Sequence, residues 1–313
     1  MIHFCARRTL FLLASLALSF LGPRLCLAAD SPRIIVTTTS ILADTVRNLA
    51  SPDSQVVSLM TEGTDPHTYK ASPGDLRLLS TATILVTNGL HLEGRLSETL
   101  AKLQKRMKVH VAADAIPPDA LRELEPGTHI FDPHIWFDPS LWTLVAKGIG
   151  DALAQLDPER AADYKHRTDE YTTRLNELHR WSAAQIATIP AHRRTLITAH
   201  DAFGYFGRAY DVKVFGIQGL STESEPTIQT INSLVNLIVT QRVPAVFIES
   251  SVSPRAVRAL LEGARAQGIT TAEGPQLFSD SLGSPDTEAG TYIGMVRHNV
   301  EAITTALSRG SGQ

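Results

Sequence analysis

A rhythm of short β-branched runs and helical stretches, broken once by a much longer helix, organises this 313-residue chain. Runs rich in Val, Ile and Thr fall at 33–38, 55–60, 83–87 and 109–111, and further runs follow at 195–198, 212–217, 245–248 and 269–272. Helical stretches separate most of them: 41–49 behind a Ser40 cap, 73–79 opened by Ser72-Pro73, 93–104, 227–240, and the one that Ser253-Pro254 opens to 267. Strands alternating with helices at this spacing close into parallel sheets, because the helix carries the chain back for the next parallel strand. Asp138-Pro139 begins a helix to about residue 156, Asp157-Pro158 restarts one that continues to Pro190, and 290–307 closes the chain. Along the 158–190 stretch the apolar positions Ala161, Tyr164, Tyr171, Leu175, Leu178 and Trp181 recur at steps of three, four and seven, the spacing of one helical face. About 30 residues at 1.5 Å each reach roughly 45 Å, wider than a small domain. The expected fold is α/β, with two lobes, each a parallel sheet flanked by helices, joined by one long rigid helix. The expected boundaries are 1–29 for a signal peptide, 30–157 for the first lobe, 158–190 for the connecting helix and 191–313 for the second lobe.

The N-terminus reads as an export signal. Arg7 and Arg8 precede an apolar run from Leu10 to Leu21, and small residues around Ala28 and Ala29 supply a cleavage site. The run is shorter than the ~20 residues that span a bilayer, so cleavage is expected rather than anchoring. The mature protein is then periplasmic. The chain's two cysteines, Cys5 and Cys26, both lie in this segment. Leu25 is larger than the residue usually found before a lipidated cysteine. Without cysteine, the mature chain lacks disulfides and thiolate ligands, so a metal site has to be built from His, Asp and Glu. A net charge of −3 leaves no basic excess for nucleic acid.

Asp132-Pro133-His134-Ile135-Trp136-Phe137-Asp138-Pro139 concentrates a histidine, carboxylates and aromatics between two prolines, and Asp65-Pro66-His67-Thr68-Tyr69 echoes it. Proline fixes its own φ and keeps the residue before it extended, so each Asp-Pro-His is a stiff device for aiming one imidazole. Two aimed imidazoles suggest one shared object, and a metal ion is the simplest. His200, at the end of the 195–198 run, and Asp280, beyond the last run, occupy comparable places in the second half. In open α/β sheets ligands bind beyond the strand C-termini. Beyond the export signal, the other histidines (His91, His110, His129, His166, His179, His192 and His298) have no such placement.

These stretches resemble the zinc- and manganese-binding receptors of bacterial ABC importers, the family that includes adhesin-type surface antigens. The matching segments are Gly63-Thr64-Asp65-Pro66-His67-Thr68-Tyr69, Asn88-Gly89-Leu90 with Leu92-Glu93, and Asp132 to Asp138. Thr198-Ala199-His200-Asp201-Ala202-Phe203-Gly204-Tyr205-Phe206, Phe247-Ile248-Glu249-Ser250 and Leu277-Phe278-Ser279-Asp280 complete the set. The resemblance covers essentially the whole mature chain. It implies His67, His134, His200 and Asp280 as ligands of one transported divalent ion, zinc or manganese. It also implies an inner-membrane permease with its ATPase as the partner, a monomeric receptor and no enzymatic activity. Three imidazoles and one carboxylate form a nitrogen/oxygen set that suits either ion and disfavours Cu(I). Affinity is expected to fall steeply below about pH 6, as the imidazoles protonate. Glu249 is a candidate for orienting a ligand histidine, with a structural role at Ser250 or Ser251 as the alternative; Trp136 and Phe137 are expected to fill the lobe interface. Three histidines and a carboxylate also describe catalytic zinc sites, so a metal-dependent hydrolase is the alternative. No His-Glu-x-x-His helix supports it.

Overall fold

The computed structural model describes Met1 and residues 33–308; the signal reading, with Arg7, Arg8, Cys5 and Cys26, lies outside the described residues. The first series of runs forms one sheet of β1 (Ile34–Thr37), β2 (Gln55–Ser58), β3 (Ile84–Thr87) and β4 (Val109–Val111), in the order β2-β1-β3-β4 with every pair parallel. β1 and β3 hold the centre and are buried on both faces, which is why they read as unbroken apolar runs instead of alternations. Crossovers come from α1 (Ser40–Leu49), α2 (Pro73–Thr81) and α3 (Ser97–Leu103). α2 opens on a reciprocal cap: Ser72 Oγ accepts the Asp75 N–H at 3.2 Å, and Asp75 accepts the Ser72 N–H at 2.6 Å. The α1 cap is one residue earlier than expected. Thr39 Oγ1 accepts the Leu42 N–H, while Ser40 enters the first turn and accepts the Leu282 N–H from the other half. The expected 93–104 helix starts as a separate tight turn at Gly94–Leu96, because Glu93 is drawn inward to Thr38 and the Asn88 N–H.

α4 (Pro139–Leu156) is capped by Asp138 and packs along α5 (Ala161–Ala187). Their backbones approach closely at Gly150, where a Cβ would lie 2.1 Å from Thr168 Oγ1. The buried face of α5 holds the expected Tyr164, Tyr171, Leu175 and Leu178, with Thr168, Thr172 and Ser182 between them; Trp181 is only half-buried.

The second half is built from β5 (Thr195–His200), α6 (Gly204–Tyr210), β6 (Lys213–Gln218), α7 (Ile228–Gln241), β7 (Ala245–Glu249), α8 (Arg255–Ala266), β8 (Ala272–Leu277) and α9 (Tyr292–Ser308). β5 pairs with β6 and β7 with β8, both parallel, and β5 lies beside β7. The last strand begins where the sequence reading ended it, at Ala272, and runs on to Leu277. Ile269 is β-branched and favours an earlier start, but it follows the Gly268 turn and packs onto the neighbouring core. Gly274 and Pro275 are weak strand signals. They are tolerated because Gly274 lies against the Phe247 ring, where a Cβ would be 2.7 Å from Cδ1, and because the ladder is irregular between Phe247 and Glu249.

The 27 residues of α5 extend about 40 Å. It packs on α1 and α4 from the first half and on α6 and α9 from the second, so one helix spans both lobes. Trp136 and Phe137 fill the seam, as expected. Trp136 Nε1–H donates to the Ser279 carbonyl at 2.8 Å, Tyr292 OH donates to the Trp136 carbonyl at 2.7 Å, and Phe137 stacks on Phe203 with centroids 4.1 Å apart.

Candidate metal centre

Both Asp-Pro-His segments form the same turn. Asp65 Oδ1 accepts the His67 N–H at 2.9 Å, and Asp132 Oδ1 accepts the His134 N–H at 2.9 Å. An aspartate that binds the amide two residues on closes the loop around the intervening proline. The two then diverge. Asp132 Oδ1 also takes the His134 ring Nδ1 at 2.7 Å, and its Oδ2 accepts from Arg122 Nη1 at 2.8 Å. Asp65 instead bonds Thr68 and, across the lobes, Thr222. Asn88, just beyond β3, donates to the Pro133 carbonyl at 3.0 Å and ties the His134 segment to the sheet.

His200 is the final residue of β5, and Glu249 the final residue of the adjacent β7. Glu249 Oε1 accepts the His200 N–H at 2.9 Å and Oε2 meets the ring Nδ1 at 2.5 Å. The alternative of a Glu249 carboxylate serving Ser250 or Ser251 is not what the fold builds. With Nδ1 held by a carboxylate, both His134 and His200 present Nε2 as the ring atom that a metal would take. Asp280 follows β8, and its Oδ2 accepts from Ser251 Oγ at 3.2 Å.

These elements bring His67, His134, His200 and Asp280 to one point, with one ligand atom from each within 4.8 Å of the others. All four side chains are 3% exposed or less. The separations are 3.3 Å between the Nε2 atoms of His67 and His134, 3.7 Å from His134 Nε2 to Asp280 Oδ1, and 3.4 Å from His200 Nε2 to the same oxygen. Four ligands at ~2.0–2.2 Å from a tetrahedral centre would be about 3.3–3.6 Å apart. His200 Nε2 and Asp280 Oδ1 are buried without a hydrogen-bond partner. Buried polar atoms are rarely left so, and here both face the same centre. The donor set therefore fits a divalent ion of the zinc or manganese kind. Among the described residues, the other seven histidines lie outside this cluster.

Electrostatics divide the histidines. Burial lowers His67 to about 4, and the neighbouring His134 and His200 act in the same direction. Burial would also lower His200, but Glu249 and Asp280 outweigh it and raise His200 well above its ordinary value. Burial would raise Asp280, yet the surrounding imidazoles hold it well below the usual carboxylate range. The sequence motifs contain Asp132 without assigning it a role, and they assign none to Arg122 or to Ser251 as a partner of Asp280. An aspartate two residues before a candidate ligand was the available signal for Asp132. Arg122 and Ser251 carried none.

Two parallel α/β lobes on one long helix, with a buried nitrogen/oxygen ligand set between them, define the helix-linked class of solute-binding proteins. The family model of the zinc-uptake complex component A, periplasmic (ZnuA), matches residues 35–306, and the chain belongs to this family. It is 41% identical over 280 residues to the manganese-binding lipoprotein MntA of Bacillus subtilis, covering 90% of this chain and 91% of that one. It is 40% identical over 282 residues to the zinc-binding protein TroA of Treponema pallidum, covering 90% and 91%. The structure of that periplasmic zinc-binding TroA matches with a TM-score of 0.86, over 89% of this chain and all of the other.

Proposed function

We propose that this protein captures one divalent ion, zinc or manganese, outside the cytoplasm and passes it to the permease of an ABC importer. The ion is the cargo, and His67, His134, His200 and Asp280 are its ligands. The observation that carries this is the closure of four buried side chains around one point, with two of the facing atoms, His200 Nε2 and Asp280 Oδ1, lacking a hydrogen-bond partner. Relatives named for manganese and for zinc, at nearly equal identity, support metal capture and favour neither ion. In this reading residues 30–157 and 191–313 are the two lobes, 158–190 is the connector, and the receptor acts as a monomer. Among the described residues no helix is long and apolar enough to cross a membrane. Export then rests on the N-terminal segment, through a cleaved signal peptide or, as in relatives named lipoproteins, through a lipid on Cys26. A hydrolase would need an open coordination position and a free general base. Four protein ligands fill the position, and the nearby carboxylates of Asp132 and Glu249 are both engaged by ligand histidines. The proposal is therefore a binding protein and not an enzyme.

The test is metal content and affinity of untagged protein. One ion per chain is expected, with His67→Ala and Asp280→Ala each losing it. Ligand at 1,000 times its Kd should add about 4 kcal/mol to unfolding. A stoichiometry of two, or no thermal shift with saturating Zn²⁺ or Mn²⁺, refutes the reading.

A further inference from the structure

We propose that Ser251 sets the metal preference by holding Asp280 to a single coordinating oxygen, an inference that rests on the four-residue site above. The two oxygens of Asp280 are in different situations. Oδ1 is buried without a hydrogen-bond partner and faces His200 Nε2 at 3.4 Å and His134 Nε2 at 3.7 Å. Oδ2 points the other way and accepts the Ser251 hydroxyl at 3.2 Å. Ser279 Oγ lies 2.9 Å from Ser251 Oγ. A hydroxyl has one proton, and that of Ser251 goes to the carboxylate, so Ser279 donates to Ser251. The result is a directed chain of hydroxyls ending on Oδ2, and each bond polarises the next. The chain is fixed at its base, because the Ser279 carbonyl accepts Trp136 Nε1–H from the opposite lobe.

This arrangement decides how Asp280 meets a metal. For both oxygens to bind, the whole carboxylate must tilt so that Oδ2 also faces the imidazoles, which draws Oδ2 away from Ser251 Oγ and breaks that bond. With that bond kept, Oδ1 binds alone and the site has four ligands near tetrahedral spacing, which is the zinc preference. With it broken, a fifth oxygen ligand becomes available. Higher, oxygen-richer coordination moves the balance toward manganese. Ser251 touches no metal in either case; it is a positioning residue that acts through Asp280. It sits two residues beyond Glu249, so the end of β7 orients His200 and Asp280 together.

The test compares Ser251→Ala with Ser251→Thr, which keeps the hydroxyl, and with Asp280→Ala. Chelator competition gives Zn²⁺ and Mn²⁺ affinities, and X-ray absorption of the zinc-loaded protein gives the number and type of ligands. Ser251→Ala should lower the Zn²⁺/Mn²⁺ affinity ratio by roughly tenfold, within the ~10–100-fold range of outer-shell changes, and add an oxygen ligand at zinc. Ser251→Thr should match the parent in both measurements. If Ser251→Ala leaves the ratio and the four-ligand zinc spectrum unchanged, or weakens both metals equally, Ser251 does not set the preference. In those outcomes loss of binding in Asp280→Ala would show that the four-residue site itself stands. Undiminished binding in Asp280→Ala would overturn the site and this inference together.

Discussion

Replacing Glu249 with glutamine isolates what orients His200. The carboxylate accepts two bonds from one residue, the His200 N–H at 2.9 Å and Nδ1–H at 2.5 Å, and both partners are buried. A glutamine of the same length has one acceptor and one donor end. If its oxygen faces Nδ1, its amide group meets the His200 N–H, and a buried donor loses its partner. If its amide group faces Nδ1, the ring must carry its proton on Nε2 and cannot bind a metal. Either way a hydrogen bond to a charged group is lost, worth about 1.5–3 kcal/mol, or roughly 10- to 100-fold in zinc affinity. An opposing effect accompanies it. Glu249 is one of the two charges that raise His200, so its neutralisation lowers that proton affinity and weakens competition from protons. The loss should therefore be largest at pH 8 and shrink as pH falls. The assay is chelator competition with Zn²⁺ across pH 6–8 on the parent and Glu249→Gln. Parallel curves separated by less than twofold would refute the orienting role.

Three further outcomes follow from the same geometry. Glu249 and Asp280 raise the proton affinity of His200 well above its ordinary value, whereas burial lowers His67 to about 4. Protons should therefore compete with the metal chiefly at His200, and affinity should rise with pH until it passes the raised His200 value. Calorimetry in buffers of different ionisation enthalpy counts the protons released on binding, and no release at pH 7 would contradict this. His200→Glu should weaken both metals, because it sets a second carboxylate against Glu249. Combined with Glu249→Gln, competition titrations should show a lower Zn²⁺/Mn²⁺ ratio than the parent, since an oxygen ligand favours manganese; an unchanged ratio would remove His200 from the ligand set. Trp136→Phe deletes the bond to the Ser279 carbonyl and leaves a gap at the lobe seam. Urea unfolding should report a loss of about 2–4 kcal/mol, and a change below 0.5 kcal/mol would show that the seam does not depend on this contact.

Local rules in the chain determined a good deal of this. Proline at 66 and 133, with an aspartate before each, fixes the backbone around His67 and His134 whatever surrounds it. Steric limits on φ and a two-residue hydrogen bond act within the segment itself. The β-branched runs of β1 and β3 and the stripe on α5 likewise announce burial, because their periodicity is that of the element they form. Where such signals are weak, expectation and structure part. β8 contains Gly274 and Pro275, and only the flat Phe247 ring and the irregular β7–β8 ladder make a strand there favourable. Thr39 and Ser40 offer equal caps by composition, and the Leu282 N–H from the other lobe takes Ser40 out of contention. The tertiary structure alone decided which carboxylate serves which histidine. Asp132 lies two residues from His134 and was within reach of a local argument, but Glu249 meets His200 because two parallel strands end side by side. Ser251 meets Asp280 because the turns after β7 and β8 emerge together. Contacts of that kind are set by strand register and by packing across the seam, and these are properties of the assembled lobes that no stretch of sequence carries by itself.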